Sequence, residues 1–189
     1  MRPEPIFIGD HPAMDFLNSI AAPWAETIDW IEAGDDLVQW MVQASLLDES
    51  DAQRLLSSAT QAALDQAATQ VRELREAFRQ QMPHPDDAFL QSVSLIMSQG
   101  HMFYALEGSA QPTAVLKPLI RDADSLLPII AHAIVDFACT TERARRRSCN
   151  GSTCTLWYYD ISKSNRRRWC SMAICGNRAK VAAHRARKT

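Results

Sequence analysis

"RRRWCSMAICGNRAK", residues 166–180, carries the reading on which the fold of this chain turns. It sets Cys170 and Cys175, with four residues between them, among arginines. Upstream, Cys149 and Cys154 repeat that spacing, and fifteen residues separate the two pairs. Two local cysteine pairs around a short loop are the usual layout of a closed zinc site, each pair giving two thiolates to a tetrahedron. The x4 spacing is looser than the commoner x2, so energetics must add weight. The segment 149–189 has 41 residues and little apolar material. A unit this small seldom folds on its own core, whereas structural zinc supplies on the order of 10–16 kcal/mol of apparent binding energy. Disulfides would need an oxidising compartment, and iron–sulfur runs bring their cysteines closer together. One structural Zn2+ on Cys149, Cys154, Cys170 and Cys175 is the expectation. Four thiolates close the shell and no glutamate stands nearby as a proton shuttle, so the centre is not expected to catalyse.

Charge extends the reading outward. The net charge of −2 hides a split: residues 1–141 hold 7 Lys/Arg against 20 Asp/Glu (−13), and residues 142–189 hold 13 against 2 (+11). This suggests an acidic body, 1–141, and a basic terminal unit, 142–189. The opening "MRPEPIFIGD" has no apolar run followed by small residues, so a cytoplasmic, reducing location is expected. "LLPIIAHAIVDFA" (126–138) is short for a membrane span and contains His132 and Asp136, so no membrane partner is expected.

The body reads as mainly α with a small β element, an α+β fold. "HPAMDFLNSI" (11–20) opens a helix with Pro12 in its first turn. A second helix runs through 35–47, capped by Asp35 or Asp36, and an apolar stripe from Leu55 to Phe78 fits one long helix or two joined ones. "MPHPDD" (82–87) breaks it before a further helix. In 101–117, β-branched and aromatic residues flank "EGSAQP", which predicts two strands and a turn. Residues 122–140 return to helix, capped by Asp124 or Ser125, with Cys139 expected as a small buried residue. Trp24, Trp30 and Trp40 read as core fillers.

The basic residues fall at three places: Arg145, Arg146 and Arg147 before the first pair; Lys163, Arg166, Arg167 and Arg168 before the second; and Arg178, Lys180, Arg185, Arg187 and Lys188 on a final helix with Asn177 as its cap. Fixed by one metal, they would face a phosphate backbone together. Docking onto the acidic body is the rival reading. Trp157, Tyr158, Tyr159 and Trp169 suit either the small core of the unit or stacking on unpaired bases. In the body, His11, Asp15 and Asn18 share a helical face. They would form a polar patch for a small-molecule effector, or serve as caps and core hydrogen bonds. Arg72 and Arg75 are candidate partners of Asp15. No phosphate-binding loop, nucleophile triad or pair of catalytic carboxylates is visible, so no enzyme is expected.

These residues resemble two known families. "RRWCSMAICGNRAK", with Cys149 and Cys154, is similar to the CGNR zinc finger, and "FIGDHPAMDFLNS" (7–19) resembles the opening motif of the ABATE domain that commonly precedes it. The resemblance implies a bacterial, stress-induced transcription regulator: a four-cysteine zinc finger that binds nucleic acid, most naturally duplex DNA, behind an effector-sensing or dimerising domain. The expected order of cysteine pair, short hairpin, cysteine pair and helix looks like a treble-clef finger. A finger that contacts another protein is the alternative.

Overall fold

The computed structural model describes residues 2–187. Its first helix, α1 (Pro12–Leu17), begins where Pro12 needs no hydrogen-bond partner, and its N-cap is His11, whose Nδ1 accepts from the Ala13 N–H at 3.2 Å. A short antiparallel pair follows, β1 (Ile20–Ala21) with β2 (Ile28–Asp29). Then come α2 (Gly34–Gln43), α3 (Glu49–Ser58), α4 (Gln61–Gln81) and α5 (Asp87–Met97).

The apolar stripe from Leu55 to Phe78 is thus two helices. Ala59 leaves helical geometry at ψ 151°, and the Thr60 hydroxyl accepts from the Ala63 N–H to start α4. The caps of α2 are also refined. The helix starts at Gly34; Asp36 reaches back to the Ala33 N–H at 3.2 Å, and Asp65 of α4 receives the Gly34 N–H at 2.9 Å. No side chain fits on Gly34, because a Cβ there would lie 2.3 Å from that of Leu64.

The expected hairpin is present: β3 (Met102–Glu107) pairs antiparallel with β4 (Thr113–Pro118). A tight turn, Ala123–Ser125, leads into α6 (Leu126–Thr140). Ser125 takes the N-cap position of α6, as expected, although its side chain makes no capping bond there; Asp122 caps the turn before it, accepting from the Ser125 N–H at 3.2 Å. Ala123–Thr140 is 18 residues long with a mean hydropathy of 1.4, which is long and apolar enough to cross a membrane by length and composition alone. Here Leu126, Ile130, Ile134 and Phe137 are buried at the centre of the core, against α1, α4 and α5. Cys139 is exposed, contrary to expectation, because it lies two positions beyond Phe137 and so faces away from the core. Trp30 and Trp40 are buried as expected; Trp24 is 48% exposed.

The basic segment adds β5 (Arg146–Ser148), β6 (Trp157–Tyr159) and α7 (Asn177–Ala186). The strands β5 and β6 pair antiparallel around the first cysteine pair. That pair therefore sits at the tip of the hairpin and does not precede it. Leu156, Tyr158 and all four cysteines are buried and join the same hydrophobic cluster as α1, α2, α4 and α6. The finger and the body share one continuous core.

Candidate metal centre

The β5–β6 connection supplies Cys149 and Cys154, and the segment entering α7 supplies Cys170 and Cys175. Before α7 the chain makes a π-type turn, Met172–Gly176, with the Gly176 N–H donating to the Ser171 carbonyl at 3.0 Å. The wider turn carries Cys175 to the other three sulfurs. All four Sγ atoms lie within 4.8 Å of one another and all four residues are buried. Cys154 and Cys170 are 3.8 Å apart, Cys170 and Cys175 3.5 Å. With Zn–S bonds of about 2.3 Å, the edge of a tetrahedron is about 3.8 Å. The donor set and its spacing fit one zinc ion.

The surroundings agree with that fit. Backbone N–H groups of Gly151 and Cys170 point at Cys149 Sγ at 3.4 and 3.3 Å, as they would to a thiolate. A Cβ on Gly151 would lie 2.9 Å from that of Cys154 and 3.2 Å from Cys175 Sγ, so only glycine leaves the cradle open. Hydrogen bonding from Cys170 draws the Cys154 thiol down to about 5. Cys170 is driven upward by its bond to Cys154, and burial pushes Cys175 up to about 12. Four buried sulfurs cannot all ionise side by side without a cation among them, which a divalent metal supplies.

The remaining letters of the Cys-Gly-Asn-Arg stretch have physical roles too. A Cβ on Gly176 would meet Met172 Sδ at 2.7 Å and the Trp169 ring at 3.3 Å. Asn177 does not cap α7; its Nδ2 donates back to the Ala173 carbonyl at 3.3 Å, and Gly176 occupies the cap position. Arg178 donates to the Pro23 carbonyl at 2.9 Å, fastening α7 to the body.

The basic residues divide into two groups. Arg145 donates to the carbonyls of Asp160 (2.8 Å) and Ser162 (3.0 Å). Arg146 is buried at the end of α6, where it donates to the carbonyls of Phe137, Ala138 and Thr141 at 3.0–3.2 Å and lies 4.5 Å from the Phe137 ring centre. Arg147 is held by Asn165, and Arg167 by Asp10 and the Ile8 carbonyl. These four arginines brace the fold: guanidinium donors satisfy the stranded carbonyls of loops and helix ends. Lys163, Arg166 and Arg168 are exposed on the loop before Cys170, as are Lys180, Arg185 and Arg187 on α7; Arg178 is exposed beyond its bond to Pro23. Arg143, absent from the expected set, is exposed as well. Lys188 lies outside the described residues. Tyr158 is buried, with its hydroxyl donating to the Arg167 carbonyl at 2.7 Å, and Trp157, Tyr159 and Trp169 pack half-buried against the core. The aromatic group builds the interior of the finger.

His11, Asp15 and Asn18 do share a face, but their polar atoms are used within the chain. His11 Nε2 meets Asp136 at 3.2 Å, and its ring sits edge-on to Phe137. Asp15 accepts the Gly9 N–H at 2.8 Å, and burial raises its carboxyl to about 6. Asn18 donates to the Trp157 carbonyl and accepts the Trp157 N–H, both at 2.8 Å. Of this face only Asn18 bridges the seam between body and finger, which Thr155 and Tyr159 extend by bonds to the Ala22 N–H and the Gly9 carbonyl at 2.8 Å each. Nor do Arg72 and Arg75 answer Asp15. Arg75 is 2% exposed and forks onto Asp29 at 2.9 and 2.6 Å, and Arg72 donates to the carbonyls of Ile31 and Glu32.

Two family models cover the chain. The model for the CGNR zinc finger matches residues 145–188, and the ABATE model, described as "Putative stress-induced transcription regulator", matches residues 10–141. No curated protein matches. The first accounts for the cysteine cluster and the second for the helical body docked against it. The chain belongs to the ABATE family and carries a CGNR zinc finger at its basic end.

Proposed function

We propose that the chain regulates transcription in the bacterial cytoplasm by binding duplex DNA through the zinc-fixed basic surface of its finger. The observation behind this is the exposed set that remains once the structural arginines are subtracted. Lys163, Arg166 and Arg168 project from the loop that carries Cys170, and Arg178, Lys180, Arg185 and Arg187 from the helix that follows Cys175. Within the finger the carboxylate of Asp160 is buried, so it does not offset them at the surface. Cations on a scaffold that does not rearrange release counterions from a phosphate backbone at little entropic cost. The role is non-catalytic: a four-thiolate shell leaves no position open for substrate.

Fluorescence anisotropy of a labelled duplex tests this. If about five phosphates are contacted, log Kd against log salt should have a slope of magnitude about 4 to 5. Changing Arg166 and Arg168 to alanine while keeping Arg167 should weaken binding to all sequences alike and reduce that slope by about 2. Absence of binding at low salt refutes the proposal. A second reading, a protein partner, draws on the β3–β4 hairpin, where Tyr104 is 73% and Leu106 77% exposed on one face.

A further inference from the structure

We infer that the body of the protein helps to hold the metal: Asp10, acting through Arg167, positions the second cysteine pair, so zinc retention depends on a carboxylate of the ABATE part. The inference takes the four-cysteine zinc site as given.

Arg167 is fixed at both backbone and side chain. Its N–H donates to the buried Asp160 carboxylate at 3.0 Å, and its carbonyl accepts from Tyr158. Its guanidinium lies 4.2 Å from the centre of the Tyr158 ring. From there it spreads in two directions. Toward the body it pairs with the Asp10 carboxylate and donates to the Ile8 carbonyl at 3.2 Å. Toward the metal site, Nε donates to the Trp169 carbonyl at 3.0 Å and Nη2 to the carbonyl of Cys170 itself. The Cys170 N–H in turn points at Cys149 Sγ. A continuous set of bonds thus runs from Asp10 to two of the four sulfurs.

Only a planar fork can serve Asp10 and two successive carbonyls together. Losing the carboxylate leaves a half-buried guanidinium without its charge partner and frees the Trp169–Cys170 segment to swing. Groups that orient metal ligands from behind typically change metal affinity by about 10- to 100-fold when altered. Asp10 is thus a positioning residue for a metal whose ligands all lie at least 139 residues further along the chain.

The test follows zinc leaving the full-length, zinc-loaded chain for a chromogenic chelator. Asp10→Asn is the main variant, because asparagine tolerates the left-handed backbone found here (φ 56°) while removing the charge. Zinc release should be about 10-fold faster. Arg167→Lys, which keeps the charge and loses the fork, should shift it in the same direction and provides a second route should the first variant not fold. Leu64→Ala is the control. Leu64 is buried against Gly34 in the body, so its loss lowers overall stability without touching this set of bonds. Because the core is shared, it should speed zinc release through global opening, but by clearly less than Asp10→Asn does. The inference is overturned if Asp10→Asn releases zinc as slowly as wild type, or if Leu64→Ala accelerates release as much. A chain that takes up no zinc refutes the metal centre itself, a result distinct from bound zinc released at an unchanged rate.

Discussion

Asn18 offers the sharpest test of how finger and body are joined. Its amide reads the backbone of Trp157 in both directions at 2.8 Å, across 139 residues of sequence, and the residue is 2% exposed. In Asn18→Ala the Trp157 N–H and carbonyl both lose their partners. Each stranded group costs about 1–3 kcal/mol; since Trp157 is half-buried, the lower part of that range applies, giving about 2–4 kcal/mol together. Asn18→Asp separates the two bonds. Its carboxylate still accepts the N–H, but its other oxygen faces the Trp157 carbonyl, acceptor against acceptor. Protonation turns that oxygen into a donor and restores the pair. The aspartate carboxyl should therefore titrate higher in the folded chain than in the unfolded one. Its penalty is relieved as pH falls through the folded value and is fully present at pH 7 and above. Urea denaturation of zinc-loaded protein at pH 7.5 and pH 5 measures both effects. The Asn18→Ala deficit should be the same at both pH values, whereas that of Asn18→Asp should shrink at the lower one. An Asn18→Ala chain within about 0.5 kcal/mol of wild type, below the cost of even one stranded group, would refute the seam as described.

Other perturbations follow from the same geometry. Asp15, raised to about 6 from 3.8 chiefly by burial, holds its proton more tightly in the folded chain, so its contribution declines by up to about 3 kcal/mol as pH rises from about 4 to 6. Asp15→Asn should gain on wild type across that window; a stability difference independent of pH contradicts this. Arg75→Ala leaves the Asp29 carboxylate without its forked partner and should cost about 3–5 kcal/mol in chemical denaturation; a loss below 1 kcal/mol would show the pair is dispensable. Stripping zinc should lower the thermal midpoint of the whole chain, because Leu156, Tyr158 and the cysteines belong to the common core. An unchanged midpoint in protein shown metal-free by elemental analysis contradicts that.

What the sequence alone determined was local. Cysteine spacing announced the metal because ligand pairs must come from short loops, and apolar periodicity announced the helices because one face of each must be buried. The β3–β4 hairpin was equally legible, since its turn and strands lie within seventeen residues. Tertiary structure alone decided how each polar side chain is used. Arg145, Arg146, Arg147 and Arg167 look like Arg166 and Arg168 in the sequence, yet the first four serve carbonyls and carboxylates of the fold while the other two face solvent. The face formed by His11, Asp15 and Asn18 was visible as a face, but its partners, Asp136 and Trp157, come from α6 and β6. A guanidinium or an amide bonds whichever unsatisfied group the packed chain brings to it, and that group has no fixed offset along the sequence. Spacing therefore reveals groups that must act from neighbouring positions, and only folding reveals the pairs that close over long stretches of chain.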